Sequence, residues 1–189
     1  MIENNKKLFA FTLLETIIAV AIFGVIILSS SQIFQSVLSS QKTNTVDQDI
    51  QENTKYFLEV FTRETQTAQR SATSSAPCLV GGTQYYATQI FAVNASSTEL
   101  YFANSDGECV KYYAASDSAG INRLKITRAS QDDYLTSAKV DIKSLNFIVD
   151  DVSTSTQPLA TVNIQVQSPN DPDLASYNIQ TSVSPRSWQ

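Results

Sequence analysis

Residues 11–28 read FTLLETIIAVAIFGVIIL, an apolar run with one carboxylate, Glu15, in its first third; from Ile17 to Leu28 it is unbroken apart from the neutral Gly24. Nothing else in the chain constrains its fold and placement as strongly. Counted from Leu8 to Leu28, the run spans roughly 30 Å as a helix at about 1.5 Å per residue, the thickness of a bilayer's hydrocarbon core. Ahead of it, MIENNKKLFA is polar, with Lys6 and Lys7 adjacent. A positively charged flank of this kind stays on the cytoplasmic side. The sequence therefore predicts a single-pass membrane segment with the remainder of the chain outside the cytoplasm. A secretory signal peptide is the competing reading, with cleavage near Ser29–Ser31. Its apolar region is ordinarily shorter, about 7–15 residues, and carries no acid.

The helical period does not stop at the serines. Ile33, Phe34, Val37 and Leu38 share a stripe, and after a polar patch Val46, Ile50, Phe57, Val60, Phe61 and Glu64 recur at helical spacings. Neither Pro nor Gly occurs between Val25 and Ala76. One helix from about Phe11 to about Arg70 is expected, apolar all round in its first half and amphipathic in its second. Pro77 and the Gly81-Gly82 pair mark a break. Beyond it the texture is that of strands, expected at residues 84–93, 98–103, 109–114, 123–128, 140–149, 160–167 and 176–183. The segment 140–149 alternates with a slip near Lys143-Ser144, and Val162, Ile164 and Val166 alternate cleanly with polar neighbours. Turn-forming residues separate these segments, as at Asn104–Gly107 and Ser116–Gly120. The fold class is α+β: a long N-terminal helix packed on a mainly antiparallel β-rich head, one sheet face on the helix and one wet. The expected organisation is a leader over 1–10, a helix over 11–72 with 11–30 in the membrane, and a head over 73–189.

Composition excludes several function classes. The chain has a formal net charge of -5 and no basic stripe in its head, so nucleic acid is not an expected partner. It has no histidine, and hence neither the commonest metal ligand nor the usual general base near neutral pH. No nucleophile elbow, Gly-rich phosphate loop or defensible carboxylate pair is present; the expectation is no enzyme, no cofactor and no metal. The tyrosines and phenylalanines at Tyr85-Tyr86, Tyr101-Phe102 and Tyr112-Tyr113 stand at strand spacing and read as half core, half surface. Cys78 and Cys109 are the two cysteines. In an exported segment they are expected to form one intrachain disulfide, against free thiols or a bond between chains.

The segment Lys6-Lys7-Leu8-Phe9-Ala10-Phe11-Thr12-Leu13-Leu14-Glu15 resembles the processing site of type IV pilins and pseudopilins: a short basic leader, a small residue, then Phe-Thr-Leu and an acid inside an apolar helix. The closing segment Ile179-Gln180-Thr181-Ser182-Val183-Ser184-Pro185-Arg186 resembles the last strand of many pseudopilins. The resemblance implies cleavage between Ala10 and Phe11 by a prepilin peptidase and N-methylation of Phe11. It implies storage in the bacterial inner (cytoplasmic) membrane, then assembly with other pilin or pseudopilin subunits by an inner-membrane platform. The filament would be a type IV pilus, a type II secretion pseudopilus or a competence filament. Ala10 stands where the family usually has Gly, and the proline common in the apolar helix of major pilins is missing, which points to a minor pilin or pseudopilin. Glu15 then has two readings. It either turns back to the lipid headgroups, or meets the Phe11 amine of a neighbouring subunit during assembly, opposite charges attracting strongly in a low dielectric. Some members of the family hold calcium in an acidic loop. The acids at Asp132-Asp133, Asp150-Asp151 and Asn170–Asp173 lack the spacing of such a loop and read as solvated turns. The alternative from another class is a secreted or anchored adhesive β-domain behind an ordinary signal sequence.

Overall fold

The computed structural model describes residues 12–70, 78–80, 83–84, 89–151, 156–170 and 176–186. One uninterrupted helix, α1, runs over Leu13–Gln66. The chain divides into two compact units within that helix, Met1–Asn44 and Thr45–Gln189. The second half of α1 thus belongs to the β-rich unit, as expected of an amphipathic segment packed on the head. The reason is its apolar stripe: Ile50, Phe57, Val60 and Phe61 are buried, and they have no other surface to cover them.

α1 also stops short of the expected end near residue 70. Thr67 and Ala68 close a tighter turn by donating to the carbonyls of Glu64 and Thr65. Ala68 is buried, and the Gln69 N–H pairs with the Ala103 carbonyl at 2.8 Å. Sheet pairing wins these residues from the helix, although nothing in their own propensities breaks it.

Ten strands are described, and every pairing is antiparallel. β1 (Leu79–Val80) and β2 (Thr83–Gln84) form a two-stranded ladder. β3 (Ala92–Val93), β4 (Leu100–Ala103), β5 (Cys109–Ser116), β6 (Asn122–Arg128) and β7 (Gln131–Tyr134) form a five-stranded meander in that order. β8 (Asp141–Asp150), β9 (Leu159–Gln167) and β10 (Ser176–Val183) form a three-stranded sheet with β9 central. The slip expected near Lys143-Ser144 is a register shift between Ile142 and Ser144, which returns Leu145 and Phe147 to the core face. The expected α+β architecture, a long helix packed on antiparallel sheets, is the one observed.

Three segments differ from expectation. Residues 89–91 are not strand, because Asp151 draws the Ile90 and Phe91 N–H groups onto one carboxylate oxygen. Asp151 is itself buried, so it is not the solvated turn residue expected. Asp132 and Asp133 lie in β7, not in a turn. Asp132 accepts from the Thr127 hydroxyl and the Tyr113 phenol and pairs with Lys125. Those hydrogen bonds, led by Thr127, hold its carboxyl down at about 2.

The core joins the three layers. Phe57 and Phe61 of α1 meet Tyr112 of β5, and Phe61 also meets Phe147 of β8, at ring separations between 5.5 and 6.4 Å. Phe102 stacks on Tyr112, and Phe91 meets Phe102 edge-on. Tyr112 and Phe102 are fully buried, Tyr101 nearly so, and Tyr113 points outward half-buried. Tyr85 and Tyr86 lie outside the described residues. The Tyr112 phenol donates to Glu64 at 2.9 Å, and the Arg128 guanidinium pairs with the same carboxylate. Burial, reinforced by Glu64, pushes the Tyr112 phenol far above its ordinary value.

Candidate functional site

The residues singled out by the sequence fall at two places, the start of α1 and the end of the segment that leaves it. At the start, Thr12 caps the helix. Its hydroxyl oxygen accepts the Glu15 N–H at 3.3 Å, and its carbonyl accepts from Thr16. Thr12 and Glu15 thus stand at the N-cap and N3 positions of the Thr-x-x-Glu pattern in which a helix start satisfies its free N–H groups. Sequence reasoning passed over Thr12, although this four-residue pattern was there to find. Glu15 sits in the first turn, where the helix dipole favours negative charge. Its carboxylate is exposed. Ala10 and Phe11 lie outside the described residues.

Past Glu15 the helix presents apolar surface on all sides. Leu13, Leu14, Val20, Phe23, Val25 and Leu28 are each more than three-fifths exposed. An 18-residue window there has a mean hydropathy of 2.4 and no buried residue, so this helix is long and apolar enough to cross a membrane. A surface like this in water marks a missing apolar environment, either lipid or other helices. Ser29 and Ser31 do not interrupt it. Their hydroxyls donate to the carbonyls of Val25 and Ile27 at 2.9 Å, so each polar group is satisfied within the helix. The helix therefore runs through the serines, as its continuing period leads one to expect. Gly24 lies within the unbroken helix, and a side chain built there would touch nothing. The exposed apolar stripe continues through Ile33, Phe34, Val37 and Leu38.

At the other place, Cys78 and Cys109 are joined by a disulfide, with Cα atoms 5.1 Å apart. Cys78 is fully buried and packs with Tyr101, Ala92 and Cys109 in a small core of its own. Ala103 pairs with Cys109 across β4 and β5, and Gln69 pairs with Ala103. The bond therefore staples the chain to the sheet one strand away from where the helix ends.

Among the described residues no group of three or more Asp, Glu, Cys or His stands where it could hold a metal ion. Against protein-family models, curated proteins and solved structures alike, the chain finds no match.

Proposed function

We propose that this chain is a minor pilin or pseudopilin, a structural subunit of a type IV pilus, type II secretion or competence filament. The observation that carries the reading is the single helix. Its first half is exposed and apolar on every side, and its second half is part of the head's own core. A cleavable signal sequence has no need to continue without a break into the folded domain. A subunit that must transmit the packing of its helix to its head does. On this reading the apolar half lies in the inner membrane until assembly and then packs against the same segment of neighbouring subunits.

Glu15 is the residue assigned to assembly. Removal of the leader by a prepilin peptidase would place a positive amine on Phe11, four residues before Glu15. Each Glu15 would then meet the Phe11 amine of a neighbour, which offsets the cost of a carboxylate in an apolar surrounding and fixes the axial register. The head is assigned no catalysis.

The mass of the mature N-terminus tests this reading. Protein recovered from membranes of a host with a prepilin peptidase should begin at N-methylated Phe11. A chain beginning after Ser29–Ser31 would establish the ordinary signal sequence, and with it an adhesive or binding β-domain.

A further inference from the structure

The unit 45–189 carries a trough that none of the preceding function uses. It runs between one flank of α1 and β10, with a volume of about 920 Å³. Two contacts fix its geometry. The Tyr177 phenol donates to Asp47 at 2.9 Å, and the Arg186 N–H donates to the Gln66 carbonyl at 2.9 Å. Nineteen helical residues rise about 28 Å. Nine strand residues span about 30 Å. The two lengths match, so β10 lies alongside α1, pinned at both ends and running in the same direction. Between the pins the floor is apolar, made by Ile50, Leu58, Tyr177 and Ile179.

Two properties say what would fill it. Among the described residues β10 is an outer strand of its sheet, paired with β9 on one side only. Apart from Arg186 beyond its end, it has no described backbone bond on the other side. Such an edge offers a row of N–H and C=O groups to an added strand. The rim is also cationic. Among the described residues that line it, Lys55, Arg63 and Arg186 stand against one carboxylate, Glu59, on a chain whose net charge is -5. Among the described residues none of the three cations is ion-paired.

From this we infer that the trough is a docking site for an extended, acidic segment of another polypeptide, held by strand addition to β10. Alternate apolar side chains of that segment pack on the floor, and its carboxylates face Lys55, Arg63 and Arg186. From Ile50 to Gln66 the trough is roughly 24 Å long, enough for about seven extended residues. The inference does not depend on the filament reading: the site belongs to the head and would serve an adhesive domain equally.

The test uses the full chain in detergent micelles and a fluorescent seven-residue peptide of alternating Val and Asp. Three comparisons accompany it: the same peptide with Lys for Asp, the acidic peptide N-methylated at alternate amides, and the variant Lys55→Glu/Arg63→Glu. These two side chains are exposed, so the variant should keep the parent's fold, checked by circular dichroism. Expected is saturable binding of the acidic peptide, weakened at least tenfold by the double substitution and by N-methylation, with the Lys peptide not bound. Equal binding of acidic and basic peptides would overturn the inference. So would binding indifferent to N-methylation, and so would no saturation up to millimolar peptide. Loss of binding on adding short-chain detergent, with no effect of N-methylation, would show that the trough takes alkyl chains instead.

Discussion

Reducing the Cys78–Cys109 bond should cost the head a large part of its stability. The bond closes a loop with a sequence separation of 31 residues. In the chain-entropy model, closing a loop of that length removes about 12 cal/mol/K from the unfolded ensemble, or about 3.7 kcal/mol at 25 °C. For a unit of this size each kcal/mol is worth roughly 2–4 °C, so the melting temperature should fall by about 8–15 °C. The place matters as much as the amount. Cys109 pairs across the sheet with Ala103, and Ala103 holds Gln69 just beyond the end of α1. Loss of the bond should therefore expose the helix terminus first. The assay is a thermal melt of the full chain in micelles, followed by near-ultraviolet circular dichroism, with and without a phosphine reductant. Reduction keeps both sulfur atoms, so it isolates the cross-link from the packing of Cys78. Intact mass should rise by two hydrogens on reduction, and hydrogen exchange should quicken at residues 64–70 before it does so in β9. Melts that coincide within about 1 °C would refute the loop argument, since the bond would then be constraining nothing that unfolding releases.

Three further outcomes are expected. Phe61 is fully buried and meets Phe57, Tyr112 and Phe147, so Phe61→Ala should cost about 3–5 kcal/mol in denaturant unfolding. The two-residue turn between β6 and β7 holds Ala129 and Ser130 at φ 45° and 67°, a conformation that suits Asn and Gly. Ala129→Asn/Ser130→Gly should raise stability by roughly 1–2 kcal/mol in the same measurement. Burial pushes the phenols of Tyr112 and Tyr101 well above 10, reinforced by Glu64 and Glu99 respectively. A raised value favours the neutral form in the folded state, so this contribution is intact below about pH 10 and is lost as pH rises beyond it. Absorbance at alkaline pH should show tyrosines that ionise only together with unfolding; if all eight tyrosines titrate before circular dichroism changes, the burial argument fails.

The architecture was legible wherever a strand or helix carried its own periodicity. β9 alternates Val162, Ile164 and Val166 without interruption, and its bounds were read to within one residue. Gly107 and Gly120 take positive φ in the turns around β5, where Asn104–Gly107 and Ser116–Gly120 had marked them. What escaped was set by partners distant in sequence. β7 is a run of exposed Gln, Asp, Asp and Tyr, and it pairs through a turn with no Asn or Gly, so neither pattern nor punctuation marks it. Asp151 in the sequence is one more acid in a loop; its role depends on Ile90 and Phe91, sixty residues away. The helix end moved from about residue 70 to Gln66 because Ala103 claims Gln69. At the candidate site Glu15 was conspicuous because a charge in an apolar run is rare. Thr12 was not, because its task is to bond a backbone group.

We propose above that the exposed apolar half of α1 assembles subunits under the control of Glu15. The most direct measurement is the amount of this chain in sheared filaments from a host that makes them, for the parent and for Glu15→Val at equal membrane levels. The parent should appear in the filament fraction, and the variant should be processed and retained in the membrane. Equal incorporation of both, or a parent chain that never enters a filament, would contradict the proposal.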